Sequence, residues 1–331
     1  MFLQRQELYK QLGDNRQSQI LVYFTGDKQG LETRIGNDVY DLFVNQLDKI
    51  GPVSKISLYL YTNGGDTLAA WAIINLIKQF AKEIEVIVPS KCHSAGTLMS
   101  LGAKQIIMTK QATLGPIDPS VNHPLNPLIP GAPIGTTIPV SVEAIEGYIQ
   151  LMKEECEFNK EHDTNKLIEI LSQYIHPIVL GQVYRAKTQI KMLSRRLLAD
   201  QIKDDKKIDK IIDFLCSSSG SHDYTIHRRE ARDELGLNII TPDEAMYKII
   251  NDIYEDIKDE LELTMAYDPN QILGTNQTAT YSIKRALIES ITGGSYFFKS
   301  EGHLSRQLIQ IQPGVPQQII NDQRTYEGWK Q

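Results

Sequence analysis

Two short segments combine the residue types that acyl chemistry needs. The first, Tyr61-Thr62-Asn63-Gly64-Gly65-Asp66, closes an apolar run and opens a helical pattern. Adjacent glycines free the backbone for dihedrals that other residues avoid and let its N–H groups face a ligand. A lone Gly-Gly also makes a plain strand-to-helix turn. Neither GxGxxG nor a P-loop pattern accompanies it, so nucleotide-phosphate binding has no motif here. The second segment, Lys91-Cys92-His93-Ser94-Ala95-Gly96-Thr97, places a serine where a helix begins. Serine is a favoured N-cap. The same position suits a nucleophile at the positive end of the helix dipole, with the Ala95 N–H beside it as an oxyanion donor. Residue types alone leave both readings open.

The elements around these turns decide between them. ILVYFT (20–25), KISLYLY (55–61), EVIVP (85–89) and QIIMT (105–109) read as strands. Residues 37–50, 67–80 and 94–103 between them carry helical patterns. Strands alternating with helices of this length predict βαβ units around a mainly parallel sheet, an α/β fold. Both turns then sit at the C-terminal ends of neighbouring parallel strands, where open α/β sheets bind ligands. One loop brings the Gly65 N–H and the other brings Ser94 and the Ala95 N–H. Acyl transfer asks for that set of a nucleophile and two donors.

Further along, seven prolines between 116 and 139 predict a long irregular loop. Helical patterns follow over about 141–172 and 176–215, parted by Pro177, and another begins near Ile226 after the turn-rich CSSSGSHDYT (216–225). YSIKRALIES, ITGG and SYFFKS predict a hairpin with a Gly-Gly turn, and the tail beyond Pro313 is expected to be loosely ordered.

Bulk composition narrows the function. The 331 residues are 41% hydrophobic and 23% charged, ordinary for a folded protein with a real core. A net charge of −6 offers no footprint for nucleic acid. Cys92, Cys156 and Cys216 are an odd number without CxxC spacing, which argues for a reducing compartment and against a zinc knuckle or a disulfide framework. The N-terminal stretch has no apolar signal core, and no run approaches a membrane span, so a cytoplasmic protein is expected.

The ordered blocks YTNGGDTLAAWAI, KCHSAGTLMSLGA, IIMT and LGPIDPS resemble the Clp-protease/crotonase superfamily. Within it they most resemble the serine dehydrogenase proteinase family, relatives of the Clp proteolytic subunit and signal peptide peptidase A. The likeness is strongest over 55–120 and resumes at SHDYTIHRREARDELGL (221–237), while 1–50 and 240–331 add little. It implies repeated ββα units with a helical C-terminal half: a catalytic core at 1–140, a helical extension completing the active site at 141–280, and a hairpin and tail at 281–331. It also implies a Ser–Asp–His triad in that order, which carries onto Ser94, Asp118 and His222, with Gly65 and Ala95 as the oxyanion hole. Gly64, His93 and Gly115 become substrate-binding positions. A peptide or protein substrate, a homo-oligomer, and no metal or cofactor follow from the same likeness.

Each assignment has a plainer counterpart. His222 sits in a polar turn and also reads as a surface histidine flanking a helix, with His123 as its rival base. The lysine of signal peptide peptidases is missing, since no lysine lies between Lys110 and Lys153. Lys153, Lys160 and Lys166 stay open for a Ser–Lys dyad. Asp118 in Pro116-Ile117-Asp118-Pro119 could simply cap backbone N–H groups, and Asp223 ranks behind it. His162, His176, His227 and His303 lack a motif. The competing functions are a crotonase-type acyl-CoA enzyme and a catalytically inactive peptide-binding scaffold.

Overall fold

The computed structural model describes residues 1–133, 135–156, 161–218, 221, 223–312 and 315–331. In chain order, α1 (Phe2–Arg16), β1 (Gln19–Thr25), α2 (Tyr40–Ile50), β2 (Val53–Tyr61), α3 (Thr67–Phe80), β3 (Ala81–Val88), α4 (Ala95–Leu101) and β4 (Gln105–Met108) come first. Then come α5 (Val142–Glu154), α6 (Glu161–Tyr174), α7 (Pro177–Leu198), α8 (Asp205–Asp213) and α9 (Arg228–Asp233). The chain finishes with β5 (Ile239–Ile240), α10 (Glu244–Glu260), β6 (Thr278–Ser290), β7 (Gly294–Gln312) and β8 (Val315–Lys330).

Eight strands form one sheet in the order β5-β4-β3-β2-β1-β6-β7-β8. The first five run parallel, and β6 joins β1 antiparallel to start a C-terminal meander. Because the meander completes the sheet laid down by residues 19–108, Met1–Thr113 and Leu237–Gln331 form one compact unit and Leu114–Gly236 another.

The sequence explains why the central strands are parallel. Ile20–Thr25, Ile56–Tyr61 and Ile84–Val88 are continuously buried, as strands covered on both faces must be. Alternate side chains serve opposite faces. Ile20, Val22, Phe24, Tyr59 and Tyr61 pack under Tyr9 and Leu12 of α1 and under Met246, Ile250, Ile253 and Ile257 of α10, spaced three or four apart on one helical stripe. On the other face the Tyr23 ring meets Phe43 of α2 edge-on at 5.2 Å. Burying each α10 side chain contributes about 1.5–3 kcal/mol. Asp66 starts α3 by accepting from the Ala69 N–H at 2.7 Å, and Asp243 starts α10 through Met246 at 2.8 Å.

The helix α1 is tied down by a charge. Arg5 is fully buried, donating to Glu289 of β6 at 2.6 and 3.1 Å and to Glu260 of α10 at 2.6 Å, while also pairing with Asp256. Tyr9 donates to the same Glu289 at 2.5 Å.

In the second unit, Val140, Val142, Ile145, Val179 and Val183 make a small core. The helical pattern expected over 176–215 divides into α7 and α8, because the Asp204 carboxylate caps a new helix through the N–H groups of Lys206 and Lys207. The tail after Pro313 departs from its expected loose order. It is the edge strand β8, paired with β7 from Gln312↔Val315 to Phe297↔Lys330. Trp329 anchors its end, edge-on to Phe298 at 5.5 Å and donating its indole N–H to Asp38 at 2.8 Å. Among the described residues no helix is long and apolar enough to cross a membrane.

Candidate active site

Strands β2 and β3 are parallel neighbours in register (Tyr59↔Ile87), so their C-terminal ends emerge at one edge of the sheet. The pairing continues into the loops. The Thr62 N–H donates to the Lys91 carbonyl at 3.0 Å, and the His93 N–H donates to the Thr62 carbonyl at 3.0 Å. A third segment grips the glycine turn from its other side. The Ile35 N–H donates to the Gly64 carbonyl at 2.9 Å, and the Asp66 N–H donates to the Ile35 carbonyl at 2.8 Å.

Gly64 and Gly65 have φ of +107° and +150°, conformations that L side chains rarely adopt. Close approach makes the same demand at both. A side-chain carbon on Gly65 would lie 2.2 Å from the Ile35 carbonyl oxygen, and one on Gly64 would lie 2.7 Å from Ser94 Cβ and 3.2 Å from its Oγ. The glycine turn therefore abuts the serine.

Ser94 itself has φ +50° and ψ −114°, outside the regions open to L residues at low energy. Such backbone costs about 1–3 kcal/mol and persists only where neighbours impose it. Here the Gly96 N–H donates to the His93 carbonyl at 2.8 Å and the Leu98 N–H to the Ser94 carbonyl at 3.0 Å. Ser94 stands at the N-cap position of α4, yet its side chain makes no capping bond. Its hydroxyl, and the N–H groups of Gly65 and Ala95, bond to no group among the described residues. Ser94 is partly exposed against the glycine turn, and the Gly65 and Ala95 N–H groups have no acceptor among the described residues.

The remaining candidates distribute as follows. The His93 ring bonds the Thr113 hydroxyl at 2.9 Å. Asp118 and Gly115 are buried in the second unit, where Asp118 lies near enough to Cys216 to act on its thiol; burial first, and this carboxylate among the lesser causes, push that thiol up to about 12. His123 Nδ1 accepts the Leu125 N–H at 3.1 Å in a local turn. Lys153 and Lys166 are exposed on α5 and α6. Asp223 is exposed. His176 caps α7 through the Ile178 N–H, and His303 is exposed on β7. His222 and Lys160 lie outside the described residues.

Three residues that no motif singles out support the glycine turn: Ile35, Thr25 and Thr62. Thr25 donates to the Thr62 hydroxyl at 2.7 Å, and the Thr62 hydroxyl accepts the Gly64 N–H at 2.9 Å. Thr62 stood inside the recognised block, but nothing local marks its hydroxyl as structural. Ile35 acts through its backbone, which no residue type advertises.

Residues 3–131 match the family described as ClpP-like SDH-type serine proteinase. Two Methanocaldococcus jannaschii proteins are similar over 186 residues, or 56% of this chain: MJ0137, at 30% identity over 54% of its length, and MJ1495, at 28% over 52%. The chain thus spans about half the length of the curated relatives it matches. Among solved structures, ClpP1 from Listeria monocytogenes aligns at 15% identity over 72% of this chain and 99% of its own, with a TM-score of 0.38. A mutant of the 1510-N membrane-bound stomatin-specific protease aligns at 16% over 69% and 80%, also at 0.38.

Proposed function

We propose that this chain, whose residues 3–131 match the ClpP-like SDH-type serine proteinases, hydrolyses peptide bonds through an acyl-enzyme on Ser94. The observation that carries the reading is the contact of the Gly64–Gly65 turn with Ser94, a residue of strained backbone whose hydroxyl makes no capping bond, together with Gly65 and Ala95 N–H groups that have no acceptor among the described residues.

In the proposed reaction Ser94 Oγ attacks the carbonyl carbon of a peptide as a base removes its proton. The carbonyl oxygen becomes an oxyanion that accepts from the Gly65 and Ala95 N–H groups. The base returns the proton to the departing amine, the C–N bond breaks, and an ester on Ser94 remains. Water, deprotonated by the same base, attacks that ester; the carboxylic acid leaves and Ser94 recovers its proton. On the motif resemblance the base is His222 and the group orienting it is Asp118, with Gly64, His93 and Gly115 contacting substrate. None of these steps calls on a metal or a cofactor. The substrate is a peptide or protein, and the enzyme acts as a homo-oligomer.

Labelling by a fluorophosphonate probe with mass-spectrometric mapping tests this directly. The adduct is expected on Ser94, and Ser94→Ala should take up no probe. Equal labelling of variant and parent would remove Ser94 from the mechanism.

A further inference from the structure

The two proposed oxyanion donors are held differently. Ala95 is the first residue of a helix, and its neighbours' hydrogen bonds fix its N–H. The Gly65 N–H belongs to a peptide flanked by two glycines, the residues least able to hold a dihedral by themselves. Something else must aim it.

The peptide unit is planar and trans, so fixing the Gly64 carbonyl fixes the Gly65 N–H, which points the opposite way. That carbonyl accepts two donors: the Ile35 N–H at 2.9 Å and the Thr62 hydroxyl at 3.3 Å. The same hydroxyl accepts the Gly64 N–H at 2.9 Å and the Thr25 hydroxyl at 2.7 Å. A hydroxyl has one proton to give and two lone pairs to fill. Here the Thr62 hydroxyl uses all three, clasping both ends of the Gly64 residue. Thr62 and Thr25 are fully buried, so no water competes for these bonds. Donors on the carbonyl also polarise the amide and strengthen its N–H as a donor.

We infer that the Thr62 hydroxyl, itself oriented by Thr25, is a positioning group that aims the Gly65 N–H at the developing oxyanion. The inference rests on the peptidase reading above. Thr62 touches no reacting atom; it acts through the Gly64–Gly65 peptide.

The test follows fluorophosphonate labelling as a function of probe concentration, which separates the maximal inactivation rate from probe binding, alongside thermal melting. Thr62→Val keeps the volume and loses the hydroxyl. Its maximal rate should fall about 10- to 100-fold, short of or equal to the loss of one whole oxyanion donor, with probe binding little changed. Thr62→Ser keeps the hydroxyl but loses the methyl lying over Gly96, where a side-chain carbon would stand 2.4 Å from Thr62 Cγ2. It should melt lower yet stay within about threefold of the parent rate, as expected when the polarising bonds survive. A merely structural role predicts no such split between rate and stability. Thr62→Val labelling at the parent rate overturns the inference. Should that variant fail to fold, Thr25→Val takes its place: several-fold slower labelling supports the inference and an unchanged rate overturns it. Ser94→Ala runs in parallel. If it stays unlabelled, the peptidase reading stands whatever Thr62 does; if it labels like the parent, that reading falls and takes the inference with it.

Discussion

Gly64 lies against Ser94, with no room between them for a methyl group. A carbon added at 64 would stand 2.7 Å from Ser94 Cβ, closer than non-bonded carbons approach, and the φ of +107° is itself unsuited to alanine. Gly64→Ala must therefore push the glycine turn and the serine apart. Fluorophosphonate labelling should fall by about 100-fold or more, comparable to losing an oxyanion donor outright. Circular dichroism of the variant should still match the parent, since the strained segment is confined to two loops.

Arg285 of β6 supports the segment that in turn supports this turn. Its guanidinium donates to the carbonyls of Leu31 at 2.8 Å and Glu32 at 2.7 Å and to the Ser300 hydroxyl at 2.9 Å. Three residues beyond Glu32, Ile35 holds both flanks of Gly65. Arg285→Lys keeps the charge but cannot fork to two carbonyls. Leaving one of them unsatisfied costs about 1–3 kcal/mol. Hydrogen exchange should quicken at residues 26–36 while α10 stays protected, and labelling of Ser94 should slow.

Glu85 makes part of the stability depend on acid. Burial by itself would raise its carboxyl, but bonds from Arg16, Lys55 and Ser57 outweigh that and hold it at about 2, below the usual 4.5. The Arg16 contacts are 2.9 and 2.7 Å, and Gln105 adds another at 2.6 Å. A carboxyl depressed on folding stabilises the protein above its unfolded value and loses that contribution as pH falls towards the folded one. A depression of this size is worth on the order of 3 kcal/mol. Denaturant midpoints should hold steady above about pH 5 and drop between about pH 5 and 2, and Glu85→Gln should flatten that drop.

The cysteines should react unequally. Burial pushes the Cys92 thiol up to about 12 despite a contact with Ser100, and burial does the same to Cys216 against the opposing influence of Lys191. Cys156 is exposed. Since thiolate is the reactive form, iodoacetamide at pH 8 should add a single carbamidomethyl group to the native protein, mapped to Cys156, and three after unfolding. Native modification at Cys92 would mean that the segment under Ser94 opens to solvent.

The parallel half of the sheet and the two turns at its edge were legible because both are local. Apolar runs such as ILVYFT announce strands buried on both sides, and Gly64-Gly65 announces a turn of positive φ through its lack of side chains. What was illegible is non-local. The polar helix α1 looks unremarkable until Arg5 meets Glu289, 284 positions later. The hairpin turn at Gly293–Gly294 shows in the sequence, but the pairing of β6 with β1 does not, and the polar edge strand β8 is a strand only because β7 offers it a ladder. At the site, Thr62 and Ile35 work by bonding backbone, which residue type does not reveal.

The dependence of the 26–36 segment on Arg285 has a temporal consequence. A ribosome builds Ser94 and both glycines long before it reaches β6. Until residues 278–290 have cleared the exit tunnel and zipped onto β1, the carbonyls of Leu31 and Glu32 lack their guanidinium, and the brace behind Gly65 stays slack. The Gly64–Gly65 turn therefore takes its braced form only after β6 has paired with β1.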